Sequence, residues 1–154
     1  MFQINPLPEG AFSHLYGLPD EELARQNVQV HVSDGSAPCR VSLTDLAEGK
    51  RVFLLNFEHQ PGESPYRSRH AIYVGDGALE NRPAPDVVPA SISSRLLSVR
   101  AFNAEHEIVD ADVVDGSEVS GLITAFFGNP DVAYLHLHFA KRGCFAAKVS
   151  RAGD

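Results

Sequence analysis

The stretch Tyr134-Leu135-His136-Leu137-His138-Phe139-Ala140-Lys141-Arg142-Gly143-Cys144-Phe145-Ala146-Ala147-Lys148-Val149 decides the fold. Its start alternates, so Tyr134, His136 and His138 share one face of a strand. Ala133, Leu135, Leu137 and Phe139 share the other, which is a core face. Ala140-Lys141-Arg142-Gly143 carries turn chemistry and is followed by a second apolar run, which predicts a hairpin. Upstream, Val28–Val32, Arg51–Glu58, Ala71–Val74, Leu96–Phe102 and Glu107–Val114 read as further strands. Helical signals are fewer. Leu18–Arg25 places Pro19 at a helix start with acids in the first turn. Asp115-Gly116-Ser117-Glu118 has the form of a capping box, ahead of Val119, Leu122, Ile123, Phe126 and Phe127 at helical spacing. Thr44–Glu48 predicts one short helical turn closed by Gly49. The three prolines within 81–89 predict a rigid loop. About seven short strands with two or three short helices give a single α+β domain built on a mostly antiparallel sheet.

Composition agrees with that class. The 154 residues are 44% apolar and 21% charged, a globular balance that excludes a disordered chain. At this length one core suffices without a disulfide or metal. The net charge of −7 argues against a nucleic-acid partner. Its distribution is uneven. Residues 105–131 hold seven acids (Glu105, Glu107, Asp110, Asp112, Asp115, Glu118 and Asp131) and no lysine or arginine. Residues 36–104 hold eight bases and seven acids, so a small anionic ligand remains compatible with that region. The N-terminus has neither a basic nor an apolar leader segment, and the apolar runs are too short to span a bilayer. The expectation is a cytoplasmic protein, monomeric or homodimeric, with no membrane partner and with Cys39 and Cys144 as reduced thiols.

Two regions concentrate reactive side chains. His136 and His138, two residues apart on one strand face, can share a divalent transition metal if a third ligand joins them; a histidine pair on a half-exposed sheet is the alternative. A three-residue loop, Lys141-Arg142-Gly143, sets Ala140 opposite Cys144 and places Cys144 on the histidine face. The thiol is then a nucleophile candidate beside His138; a buried inert cysteine is the alternative. The polar loop Glu58–His70 joins two apolar strands and offers His59, Tyr66, Arg67, Arg69 and His70. Its arginines, with Arg40 and Arg100 from neighbouring strands, present planar forks suited to carboxylate or phosphate. The competing reading pairs them with Glu58 and Glu63 in solvent. The backbone N–H groups at Gly116 and Ser117 can face an anion, but the Asp115 and Glu118 caps satisfy them.

Cys39–Leu43, Arg51–Pro61, Ser64–Val74 and His136 through Cys144-Phe145 resemble a bacterial family known as domain of unknown function 1203. The resemblance runs over nearly the whole chain. It implies one compact bacterial domain with no assigned activity, and it transfers no catalytic residue.

Three functions compete. The first is binding or processing of a small anionic molecule, needing no cofactor. Arg40, Tyr66, Arg67, Arg69 and Arg100 would bind it, and His59, His70, His138 and Cys144 would be the catalytic candidates. The second is a metal-dependent site centred on His136 and His138, completed by His59, His70 or Cys144, with one divalent transition metal. The third is a non-catalytic interaction domain.

Overall fold

A computed structural model describes residues 1–154. Its largest element is a five-stranded antiparallel sheet. Chain order supplies β1 (Phe2–Asn5), β7 (Leu96–Phe102), β8 (Ile108–Asp115), β9 (Tyr134–Phe139) and β10 (Phe145–Arg151). Their spatial order is β1-β10-β9-β7-β8. A second antiparallel sheet has the order β2-β5-β6, from β2 (Gln29–Val32), β5 (Arg51–Gln60) and β6 (Ser68–Gly75). The short β3 (Ala37–Pro38) and β4 (Asp45–Leu46) pair separately. Three short helices complete the α+β fold: α1 (Asp20–Arg25), α2 (Ala90–Ser93) and α3 (Val119–Phe127).

Two cores follow from strand alternation. Leu97, Val99, Ala101, Leu135, Leu137 and Val149 project from one face of the five-stranded sheet onto Ile92 of α2 and Val119, Ile123 and Phe126 of α3. Phe53, Leu55, Ile72 and Val74 of the second sheet pack on Leu23 of α1 and on Phe12 and Leu15 of the N-terminal turns. The opposite face of the large sheet is polar and aromatic, and it receives the end of β5.

Several local expectations change. Thr44–Glu48 is not helical. Its centre is β4, because the Cys39 N–H donates to the Thr44 carbonyl and closes a tight two-stranded turn. Strand β1 and helix α2 carried too few residues to announce themselves. Asp115 caps as expected, accepting from the Ser117 N–H at 3.0 Å and its hydroxyl at 2.8 Å. Glu118 does not reach back, since Asp115 still belongs to β8 and residues 116–118 form a 3-10 turn. The β9–β10 loop has four residues, not three. Phe139 N–H donates to the Cys144 carbonyl and Gly143 N–H to the Phe139 carbonyl, with Gly143 at φ +80°. Cys144 therefore opposes Phe139 and packs on the helix-side core, while Phe145 pairs with His138. The three-residue register that put the thiol beside His138 is thereby replaced.

Gly116 sits where the chain leaves β8 under α2. A Cβ there would lie 2.5 Å from the carbonyl oxygens of both Arg95 and Ile92 and 2.7 Å from that of Ser93. All three are backbone and cannot rotate away. Gly116→Ala should destabilise by about 1–3 kcal/mol in urea unfolding. Gly121→Ala, with nothing within 4 Å of its added methyl on α3, should stabilise by about 0.5–1 kcal/mol. Equal effects at the two sites would show that the close approach is unimportant.

Candidate metal centre

The sheet alternation puts His136 and His138 on the face away from the helices, as their spacing requires. What brings a third imidazole to them is a bulge. From Phe57 to Gln60, β5 uses three steps against two on β6, between His70 and Ser68. An extra residue in one strand breaks strict alternation. His59 and Gln60 are consequently both buried, although they are adjacent in sequence. The hairpin register sets Phe145 opposite His138, on the histidine face, and a second bulge on β10, between Phe145 and Ala147, sets Lys148 opposite His136. The Phe145 ring then stacks on His59 at 5.4 Å with an 8° interplanar angle, and meets His136 and His138 edge-on.

The result is a compact trio. His59, His136 and His138 are 9%, 3% and 1% exposed, and each offers a ring nitrogen within 4.8 Å of the others. His138 Nδ1 lies 2.9 Å from the Gly143 carbonyl. A carbonyl only accepts, so Nδ1 carries the proton and Nε2 keeps its lone pair. His59 Nδ1, His136 Nδ1 and His138 Nε2 are buried with no hydrogen-bond partner. A buried unpaired polar atom costs about 1–3 kcal/mol, so three of them in one histidine cluster call for an occupant.

Electrostatics keeps the rings neutral. Burial, reinforced by Arg100 and His70, pushes His59 down to about 4. Burial and the neighbouring His138 and His59 push His136 down to about 2. Burial also brings His138 to about 3, against the opposing hydrogen bond to Gly143. A neutral imidazole is the form that ligates a metal.

His59 and His136 open onto a cavity of about 450 Å³. Its wall carries a small polar network. Gln60 Nε2 donates to the Tyr134 hydroxyl at 2.9 Å, and His106 Nδ1 lies 2.7 Å from the same oxygen. The Lys148 ammonium sits 4.5 Å from the centre of the Tyr134 ring. Gln60, His106, Phe145 and Lys148 were not among the sequence candidates. Lys148 is paired in register with His136, so strand pairing was the one signal for it.

The other candidates separate. Arg100 stands opposite His136 on β7, half-buried, with no carboxylate partner; its only side-chain bond is a long one to Ser98 Oγ at 3.4 Å. Arg67 and Arg69 are 55% and 58% exposed and turn to Glu58 at 3.3 and 3.5 Å. Arg69 also donates to Asn56. Tyr66 is exposed, with its ring edge-on to Phe102. His70 is near enough to His59 to depress it but bonds its own neighbour's carbonyl, that of Ala71. Arg40 and Cys144 lie together in a different cavity.

The fold and trio define an α+β domain with three neutral histidines clustered between two antiparallel sheets. A family model described as a protein of unknown function, DUF1203, matches residues 36–151, and the chain belongs to that family. The matched span contains all three histidines, and β1, α1 and β2 lie outside it. No curated protein and no solved structure shows significant similarity. No helix is long and apolar enough to cross a membrane.

Proposed function

We propose that His59, His136 and His138 hold one divalent transition metal and that the centre acts on, or binds, a small anionic molecule. The observation that carries this reading is a cluster of three buried histidines with ring nitrogens within 4.8 Å of one another, each of which also has an unpaired buried nitrogen. Three neutral imidazoles suit zinc or a first-row neighbour, and a three-ligand set leaves a position for a further ligand, as in catalytic rather than structural sites. The cavity beside His59 and His136 gives that position access. A bound metal would supply Lewis-acid chemistry there. Arg100, half-buried without a carboxylate, supplies the positive charge that favours an anion.

Metal content and thermal stability test this. The purified protein should contain a stoichiometric transition metal, or bind Zn²⁺, Co²⁺, Mn²⁺, Ni²⁺ or Fe²⁺ after chelation. At a hundredfold excess over Kd the stabilisation is about 2.7 kcal/mol. His59→Ala and His136→Ala should each abolish it. A metal-free protein indifferent to all five ions, or an undiminished response in both variants, would overturn the proposal.

A further inference from the structure

A cavity of about 770 Å³, separate from the one beside the histidines, is lined by Arg40, Arg95, Phe139, Lys141, Arg142 and Cys144. At its floor is Arg40, 2% exposed. Its Nε donates to the Phe145 carbonyl at 2.8 Å, its Nη1 to the Pro38 carbonyl, and its Cζ lies over the Phe139 ring, 5.0 Å from the ring centre. Carbonyls and an aromatic face orient a guanidinium but do not neutralise it. No carboxylate lies within 4.0 Å of Arg40 among the ion pairs of the fold. The groups that face it are the thiols of Cys144 and Cys39 and a second guanidinium, Arg95.

A buried charge is normally paired, because leaving water costs several kcal/mol that only a counter-charge returns. The wall of this cavity adds to the imbalance. Arg95, Lys141 and Arg142 line it with Arg40, against Asp34 and Asp115. Both acids are already engaged locally, Asp34 by Ser36 and Asp115 by Ser117. Arg95 has its own partner in Asp45 at 2.8 Å. The missing partner of Arg40 is thus an anion, and the cavity is large enough for a small molecule to bring it.

We propose that this cavity binds the anionic head, carboxylate or phosphate, of a small organic molecule, with Arg40 as its buried counter-charge and Lys141 and Arg142 at its rim. This site is independent of the metal reading. Arg40 is preorganised by two backbone acceptors, so no side-chain ordering is needed on binding. Cys144 lines the same cavity and is half-buried, so it reports occupancy. Cys39, fully buried, is the internal control.

Inorganic phosphate and succinate are the probes, each against sodium chloride at matched ionic strength. The expected result is a rise in melting temperature with at least one of the two, and a several-fold slower alkylation of Cys144 by iodoacetamide. Phosphate alone identifies a phosphoryl ligand, and succinate alone a carboxylate. Lys141→Ala/Arg142→Ala, two substitutions on an external turn, should weaken the response at least fivefold and keeps the test valid if Arg40→Met does not fold. His136→Ala should leave the response intact, which separates this site from the metal centre. Identical behaviour in phosphate, succinate and chloride, an unchanged Cys144 alkylation rate, or a response lost in His136→Ala would overturn the proposal.

Discussion

Acidification from pH 6.5 to pH 4.5 should unfold the metal-free protein, or nearly so. His59, His136 and His138 sit at about 4, 2 and 3 when folded, whereas an unfolded histidine titrates near 6.5. Between those values the unfolded chain binds more protons than the folded one, so stability falls as pH falls. Their contribution is fully present above pH 6.5 and is lost progressively on the way down to the folded values. Each histidine costs about 1.4 kcal/mol per pH unit in that window, so the three together approach 4 kcal/mol per unit. A typical domain has only about 5–15 kcal/mol in total. The depressed carboxylates Asp34 and Asp115 act in the same direction, but only at more acidic pH. The urea midpoint measured against pH should drop steeply below 6.5, and His136→Phe should flatten the slope by about one proton. A flat profile between pH 6.5 and 5 would show that the imidazoles are accessible to water.

Phe145→Ala should be the most damaging single substitution near the site. The ring is 2% exposed, stacks on His59 and walls off the other two histidines. Removing a buried phenylalanine costs about 3–5 kcal/mol. The loss should be double, because the cavity left behind frees His59 to rotate and the metal response falls with it. Phe126→Ala, on the helix side of the large sheet, should cost a comparable amount while leaving metal binding intact. Measuring stability and Co²⁺ affinity for both variants separates the two losses. Equal metal affinity in the two would mean that Phe145 merely fills space.

The fold class and two of the three histidines were legible in the residues. Strict alternation over Tyr134–Phe139 set His136 and His138 on one face without any structure. Period-two patterning is local, so it survives translation into sheet geometry. His59 stood among the polar-loop candidates, but its meeting with the pair depends on contact between two sheets and on the bulge at 57–60. Neither is written in composition, because a bulge arises from hydrogen-bond register. The same limit misplaced Cys144: Gly143 signals a positive φ in loops of three or four residues alike, and one residue reverses the face. Arg67 and Arg69 followed the plainer of their two readings, since Glu58 is within reach and solvent is close. Arg40 was visible only as one more arginine. Its burial without a carboxylate emerges from long-range packing of residue 40 against residues 139 and 145.

The two bulges have an evolutionary consequence. His59 is buried beside Gln60, and Lys148 stands opposite His136, because each strand carries one surplus residue, so the site is keyed to residue count and not to side-chain volume. Core positions such as Leu137 or Val99 can drift among similar apolar residues and leave it intact. A single insertion or deletion within Phe57–Gln60 or Phe145–Ala147 would change that count and the ladder register with it. Length should therefore be more tightly constrained in these two segments than in the loops that join them.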